Sequence, residues 1–281
     1  MGDSHSIINL GDLTKPANTL IEKISDAIGG IFRPIQIVRV AEAEAKAETI
    51  RAATQIEVTE LQRRAICRFI IEEAKKQNNI EAITAKALPE VDGQANPENV
   101  EDDWIVNFFD KCRLISDEEM QTLWAKILAG EANSPGIFSK RTIDLLSSMD
   151  KSDAWMFSRL CSFGFKLDMI YPLIYDVQAK IYIDHDVHFS ALSHLESIGL
   201  IDFNNLAGYV RQDLPQILHF EYFGQEMRLE FPGAEGNRLQ LGKVILTKVG
   251  EQLAPICGAQ PREGFPDYVR ERWTGLGYRI E

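Results

Sequence analysis

The chain has 281 residues and a formal net charge of −12, from 30 Lys and Arg against 42 Asp and Glu. That length holds one large or two ordinary domains with a real core, and the acidic balance repels nucleic acid and anionic lipid alike at long range. The 4 cysteines, Cys67, Cys112, Cys161 and Cys257, stand far apart with no Cys-x-x-Cys pair, so no zinc knuckle or disulfide framework is indicated and a reducing, cytoplasmic setting fits best.

No secretory leader is read at the start, and no run of about 18 apolar residues that could span a bilayer. Gly2 and Ser6 formally match an acylation pattern, a short match that carries little weight. The first predicted element is an amphipathic helix from Pro16 to Phe32. Its apolar stripe is Leu20, Ile21, Ile24, Ile28, Ile31 and Phe32, with Glu22, Lys23, Ser25 and Asp26 opposite. This stripe can face a helical bundle, a second copy of the chain or a membrane. The polar face carries one lysine against two acids, which favours protein over lipid, while Gly29-Gly30 supplies a flexible break.

After Arg33-Pro34 a long helix is expected from Ile35 to about Leu88, a stretch without Gly or Pro that contains Ala41-Glu42-Ala43-Glu44-Ala45-Lys46-Ala47-Glu48. A strict heptad fails because Glu42 and Thr49 fall where bulky residues belong. From Leu61 onward the stripe thickens through Ala65, Phe69, Ile70, Ile80, Ile83 and Ala87, so this half is expected to dock on the bundle, with a break at Asn78-Asn79. Arg63, Arg64 and Arg68 have Glu57, Glu60, Glu72 and Glu73 at helical reach, which makes a solvated, salt-bridged face rather than a nucleic-acid patch. Turn formers from Pro89 to Asn99 read as a linker.

The central bundle opens with Glu101, Asp102 and Asp103 before Trp104, Ile105, Phe108 and Phe109. The most strongly patterned stretch follows. Ser116 and Glu119 read as a capping box, and Leu123, Trp124, Ile127 and Leu128, with Met120, form the buried stripe while Gln121, Lys126 and Glu131 face elsewhere. The turn at Asn133-Ser134-Pro135-Gly136 leads to Ile143, Leu145, Leu146 and Met149, and then from Ser152 to Ala154, Trp155, Phe157 and Leu160. The carboxylates at these helix starts are explained by the helix dipole without any chemistry.

Past Leu160 the character changes, and Ile181-Tyr182-Ile183 reads as a strand. On it Asp184, Asp186 and His188 would share one face, an incomplete ligand set read as a polar turn rather than a metal site. No catalytic, cofactor-binding or metal-ligating set is assigned anywhere in the chain, and no cofactor is expected. The helix Phe189 to Ser197 ending in Gly199-Leu200-Ile201, the strands Ile217 to Phe223 and Glu226 to Phe231, and the phrase Leu246-Thr247-x-x-Gly250-x-x-Leu253 together resemble a winged-helix domain. Acids outnumber bases from Asp186 to Glu281, so the resemblance implies protein contacts rather than DNA. The segment from Pro261 is expected to be a partly ordered arm.

Lys15-Pro16, Ile28-Gly29-Gly30, the Ala-rich helix, Leu123-Trp124-Ala125-Lys126-Ile127-Leu128-Ala129 and Pro135-Gly136-x-Phe138-Ser139 together resemble a bacterial family catalogued as a domain of unknown function. The central phrase with its acidic turn is also similar to the abortive-infection alpha family of anti-phage proteins. The expected architecture is mainly α, with divisions at 1–34, 35–90, 98–165, 170–260 and 261–281. The last two are a winged-helix-like α+β domain and the arm. The expected function is non-enzymatic, a self-associating or partner-binding protein in bacterial defence, with a winged-helix regulator as the alternative. A second copy or another protein is the expected partner, nucleic acid is not, and the N-terminal helix could bring the protein to a membrane on activation.

Overall fold

The computed structural model describes residues 13–28 and 59–281. They divide into two compact units whose boundary in the chain lies between Ile143 and Asp144.

The first unit is helical. Helix α1 (Lys15–Ile28) buries Ala17, Leu20, Ile21 and Ile24, a spacing of three and four that turns one face inward. Helix α2 (Glu60–Ala87) starts from a capping box in which Thr59 accepts from the Gln62 backbone and the Gln62 side chain accepts in return. It runs unbroken past Asn78-Asn79, where a break was expected. The reason is tertiary: Asn79 is buried and its amide donates to the Arg113 carbonyl at 2.8 Å. Residues 35–58 of the expected long helix lie outside the described residues.

After α2 the turn-rich stretch folds onto the end of helix α4 (Glu118–Asn133). Leu88, Val91, Ala95 and Val100 are buried. Asn133 brackets the stretch, donating to the Glu90 carbonyl at 3.0 Å and accepting from the Asp92 amide at 2.8 Å. Helix α3 (Asp102–Cys112) begins with its acidic turn and packs against α1, while α2 lies along α4. Between α3 and α4, Trp104 stacks on Phe108 and Phe108 meets Trp124 edge-on, each pair 5.1 Å between centroids.

Helix α4 differs from expectation at both ends. Its cap is Asp117, which accepts from the Glu119 and Met120 amides, and not Ser116; a carboxylate caps and also complements the dipole. Gln121 and Glu131, expected to face outward, are buried at 7% and 2% exposure. The chain then turns into helix α5 (Lys140–Ser148), where Ser139 accepts from the Thr142 amide at 3.2 Å.

The second unit corrects the expected fold class. It is not a winged-helix appendage on a mainly α chain; the strands build several antiparallel sheets, and the molecule is mixed α+β with a helical N-terminal part. Helix α6 (Lys151–Cys161) leads to β1 (Gly164–Lys166) and β2 (Ile170–Pro172). Strands β5 (Ile217–Tyr222) and β6 (Gln225–Glu230) form a hairpin through Phe223-Gly224, both at positive φ, as a two-residue primed turn requires. Instead of extending as a wing, this hairpin sits inside a 5-stranded sheet of order β2-β1-β5-β6-β9. Strand β9 (Arg279–Ile280) belongs to the expected arm, which is ordered: helix α10 (Phe265–Gly275) buries Phe265, Val269 and Trp273, and the Trp273 indole donates to the Tyr175 hydroxyl at 2.9 Å.

Strands β3 (Ile201–Phe203) and β8 (Val244–Leu246) pair, as do β4 (Tyr209–Leu214) and β7 (Asn237–Gly242). Ile181-Tyr182-Ile183 is not a strand but the short helix α7 (Lys180–Ile183). Tyr182 decides this, since its hydroxyl donates to the Leu173 carbonyl at 2.6 Å from a fully buried position, and tertiary contact overrides β propensity. Helix α8 (Phe189–Ser197) is capped by His188, and helix α9 (Lys248–Leu253) by Thr247.

Candidate functional site

The polar residues singled out after Leu160 have structural occupations. Asp184 caps the end of α7, Asp186 pairs with Arg159, and the His188 ring accepts from the Ala191 amide. Because α7 is helical, the three do not fall on a strand face. Among the described residues no group of three or more His, Cys, Asp or Glu could hold a metal ion. Asp153 and His194 are 2.7 Å apart, but the second Asp153 oxygen accepts from the Asp150 amide in a helix cap. Burial pushes the Cys112 and Cys161 thiols up, Cys161 further through Cys257, which keeps both in the unreactive thiol form.

The phrase around α4 is likewise a structural device. One Glu131 oxygen accepts from the Gly136 amide at 2.6 Å and the other from the Phe138 amide at 2.9 Å. The Trp104 indole donates to the Phe138 carbonyl at 2.8 Å. The Pro135–Ser139 turn is therefore held from both sides, with Phe138 buried. Desolvation raises the Glu131 carboxyl above its ordinary value, and the Glu101 charge adds to this, against the lowering effect of the Phe138, Gly136 and Ile137 amides. In this stretch Trp124, Ile127 and Leu128 are buried and Leu123 is half-buried.

What remains unaccounted for is the upper half of α2. Gln62, Ile66, Phe69, Glu73, Lys76, Ile80, Ile83 and Ala87 recur at alternating spacings of four and three along this helix, the seam of a helix that packs on another. The lower part of the seam is buried at Ile80, Ile83 and Ala87. Glu73 and Lys76 then close on each other at 2.6 Å. Above them no described residue covers the seam: Phe69 is 63% exposed, and Leu61 beside it 70%. Leu61, Ala65, Phe69 and Ile70 were expected to dock on the bundle, and they do not. Ile66, Ile70 and Ile71 are exposed as well, so apolar residues line more than one side of this free turn of helix. Around them Arg63 pairs with Glu60 at 3.3 Å and Arg68 with Glu72 at 3.5 Å. At the foot of the free segment α1, α2 and α3 enclose a groove of about 350 Å³ floored by Ile28, Ile80 and Phe109 and rimmed by the Glu73–Lys76 and Asp110–Arg113 pairs.

The N-terminal stripe lies elsewhere. Leu20, Ile21 and Ile24 are buried in the first unit and Ile28 is partly so, while Ile31 and Phe32 lie outside the described residues. Lys23 fastens the polar side, donating to the Glu98 carbonyl at 2.9 Å and pairing with Asp102 at 3.2 Å. The signal for the α2 face was legible as large apolar residues on a helix already carrying a full set of arginines and glutamates. Periodicity alone, however, does not say where along a seam the partner stops.

Among the described residues no helix is long and apolar enough to cross a membrane. Neither a curated protein nor a solved structure matches the chain. A family model does, over residues 63–270, which is most of the sequence and takes in α2, the α4 phrase and the sheets of the second unit. The chain thus belongs to the family described as Protein of unknown function (DUF2806).

Proposed function

We propose that the protein acts by association rather than catalysis, binding a second copy of itself or a protein partner through the free half of α2. The observation that carries this reading is the exposure of Leu61, Ile66, Phe69 and Ile70 on a helix whose same seam is buried further down. Burying side chains of this kind contributes about 1.5–3 kcal/mol each, and an exposed set of them on one helix is the usual mark of an interaction face. Light scattering on the intact chain, wild type against Phe69→Glu, tests it. An assembly that the substitution dissolves is the expected result; a wild-type monomer that captures no partner removes the proposal.

The α1 stripe is not the docking face in this reading. Presenting Leu20, Ile21 and Ile24 to a membrane would first expose them to water, at roughly 1.5–3 kcal/mol for each side chain. Liposomes are therefore expected to stay intact with the full chain, and dye leakage that disappears on deleting residues 1–34 would replace this view. The likeness of Leu123–Ala129 to the abortive-infection alpha family supports anti-phage defence as the setting. Plaquing efficiency on cells carrying the wild type or Phe69→Glu checks it, with protection by the former alone expected.

A further inference from the structure

Two of the four cysteines meet inside the second unit. Cys161 is the last residue of α6 and is buried, while Cys257 lies in the turn after α9 and is half-buried. Strands β1 to β8 separate them in the chain. The Cys161 thiol and the Cys257 sulfur are nevertheless in hydrogen-bond contact, and Cys257 donates onward to the Ala254 carbonyl at 3.1 Å. Tyr222 fixes the approach of the two segments. Its hydroxyl donates to the Ser162 carbonyl at 2.8 Å and accepts from the Arg262 amide at 2.7 Å, which pins the residue after Cys161 to the stretch that follows Cys257. We infer that this pair is a redox modification site, closing to a disulfide when the protein meets a hydroperoxide and opening again with a thiol reductant.

A buried cysteine usually packs as a small hydrophobe and stays inert, as Cys112 does. What the pair adds is a buried sulfur touching one that solvent reaches. The hydroperoxide passes one oxygen to the Cys257 thiolate, giving a sulfenic acid, and leaves as an alcohol or water. The Cys161 sulfur then attacks the Cys257 sulfur. The S–S bond forms, the S–O bond breaks, and hydroxide departs with the Cys161 proton as water. Two thiols lose two electrons in total and one peroxide gains them. Burial keeps Cys161 protonated and away from the oxidant, so Cys257 is the sulfur oxidised first and Cys161 the one that resolves it. Going from contact to a bond of about 2.05 Å moves each sulfur by roughly 1 Å. The turn has room for this, since Gly258 follows at a φ of 76° with nothing within 4 Å of where a Cβ would stand.

Non-reducing peptide mapping of the full chain, before and after treatment with hydrogen peroxide, tests the pairing. The expected product is a linked peptide pair carrying Cys161 and Cys257, about 2 Da lighter than its two thiol forms together, which dithiothreitol separates. Exposed Cys67 serves as the internal measure of how much oxidant the chain has met. Cys257→Ser should abolish the linked pair and leave Cys161 a thiol at a dose that still modifies Cys67. The wild-type map needs no variant to fold, so the linkage is read on the native chain whatever the substitution does. Cys257 driven to sulfinic acid beside a free Cys161 thiol would overturn the inference. So would modification of Cys67 with Cys161 and Cys257 both left as thiols, or a Cys161 linked to any other cysteine.

Discussion

Glu131 and Trp124, about two turns apart on α4, carry buried polar atoms that the fold treats in opposite ways. Glu131 has both oxygens occupied by the Gly136 and Phe138 amides. An amide in its place can accept at one atom only, so Glu131→Gln should cost about 1–3 kcal/mol of unfolding free energy at pH 7 in denaturant titration. Because desolvation raises the folded carboxyl above its unfolded value, the folded state holds this proton more tightly. This group then opposes folding above its folded value, and stability rises as pH falls from there toward the ordinary carboxylate range. The gap between wild type and Glu131→Gln should widen over that window, and a gap that narrows would contradict the direction of the shift. Trp124 is fully buried, yet its indole N–H has no partner among the described residues. Trp124→Ala should therefore cost about 3–5 kcal/mol through the cavity it leaves. Trp124→Phe should cost less than about 1.5 kcal/mol, since it keeps an aromatic body and removes an unsatisfied donor.

At the level of elements, the Leu246-Thr247-x-x-Gly250-x-x-Leu253 phrase has a local explanation that needs no wing. The Thr247 hydroxyl accepts from the Gly250 amide at 3.2 Å and donates to the Gly199 carbonyl at 2.7 Å, which ties the start of α9 to the end of α8. A Cβ on Gly250 would run into the Leu200 carbonyl. Gly250→Ala ought to gain about 1 kcal/mol from helix propensity, but the obstacle is backbone at the buried Leu200, just before β3, so a net loss of about 1–3 kcal/mol is expected in thermal or chemical unfolding. Stabilisation by this substitution would mean that α9 and β3 approach less closely than the structure has them. The same close approach explains why a helix-strand-helix reading of this region was partly right in its local steps and wrong in its assembly. The steps depend on neighbours in sequence, whereas β5 and β6 join β1 and β9 from far along the chain.

For the whole molecule, charge sets what the surface can meet. With a formal net charge of −12, duplex DNA should show no mobility shift at about 10 µM protein in physiological salt, where basic proteins bind without sequence preference. The arginines of α2 do not reverse this, because Arg63 and Arg68 are already paired with glutamates within the helix. A local basic stripe would survive a net negative charge only if its counter-charges lay elsewhere.

The amino-acid sequence by itself determined the buried stripe of α1, the acidic start and aromatic face of α3 and most of the buried stripe of α4. Caps, dipoles and three-four spacing act between residues within about a turn of one another, so α1, α3 and most of α4 could be read directly. Only the tertiary structure decided that Glu131 turns inward to hold Pro135–Ser139, that Tyr182 draws a β-prone triplet into a helical turn, and that the segment after Pro261 closes a sheet. It alone decided where the α2 seam stops being covered. Glu131 and Tyr182 are turned by partners beyond the next helical turn, across a change of chain direction, β9 pairs with a strand from far earlier in the chain, and the end of the α2 seam depends on what covers it among the described residues; periodicity along the chain carries no information about any of these.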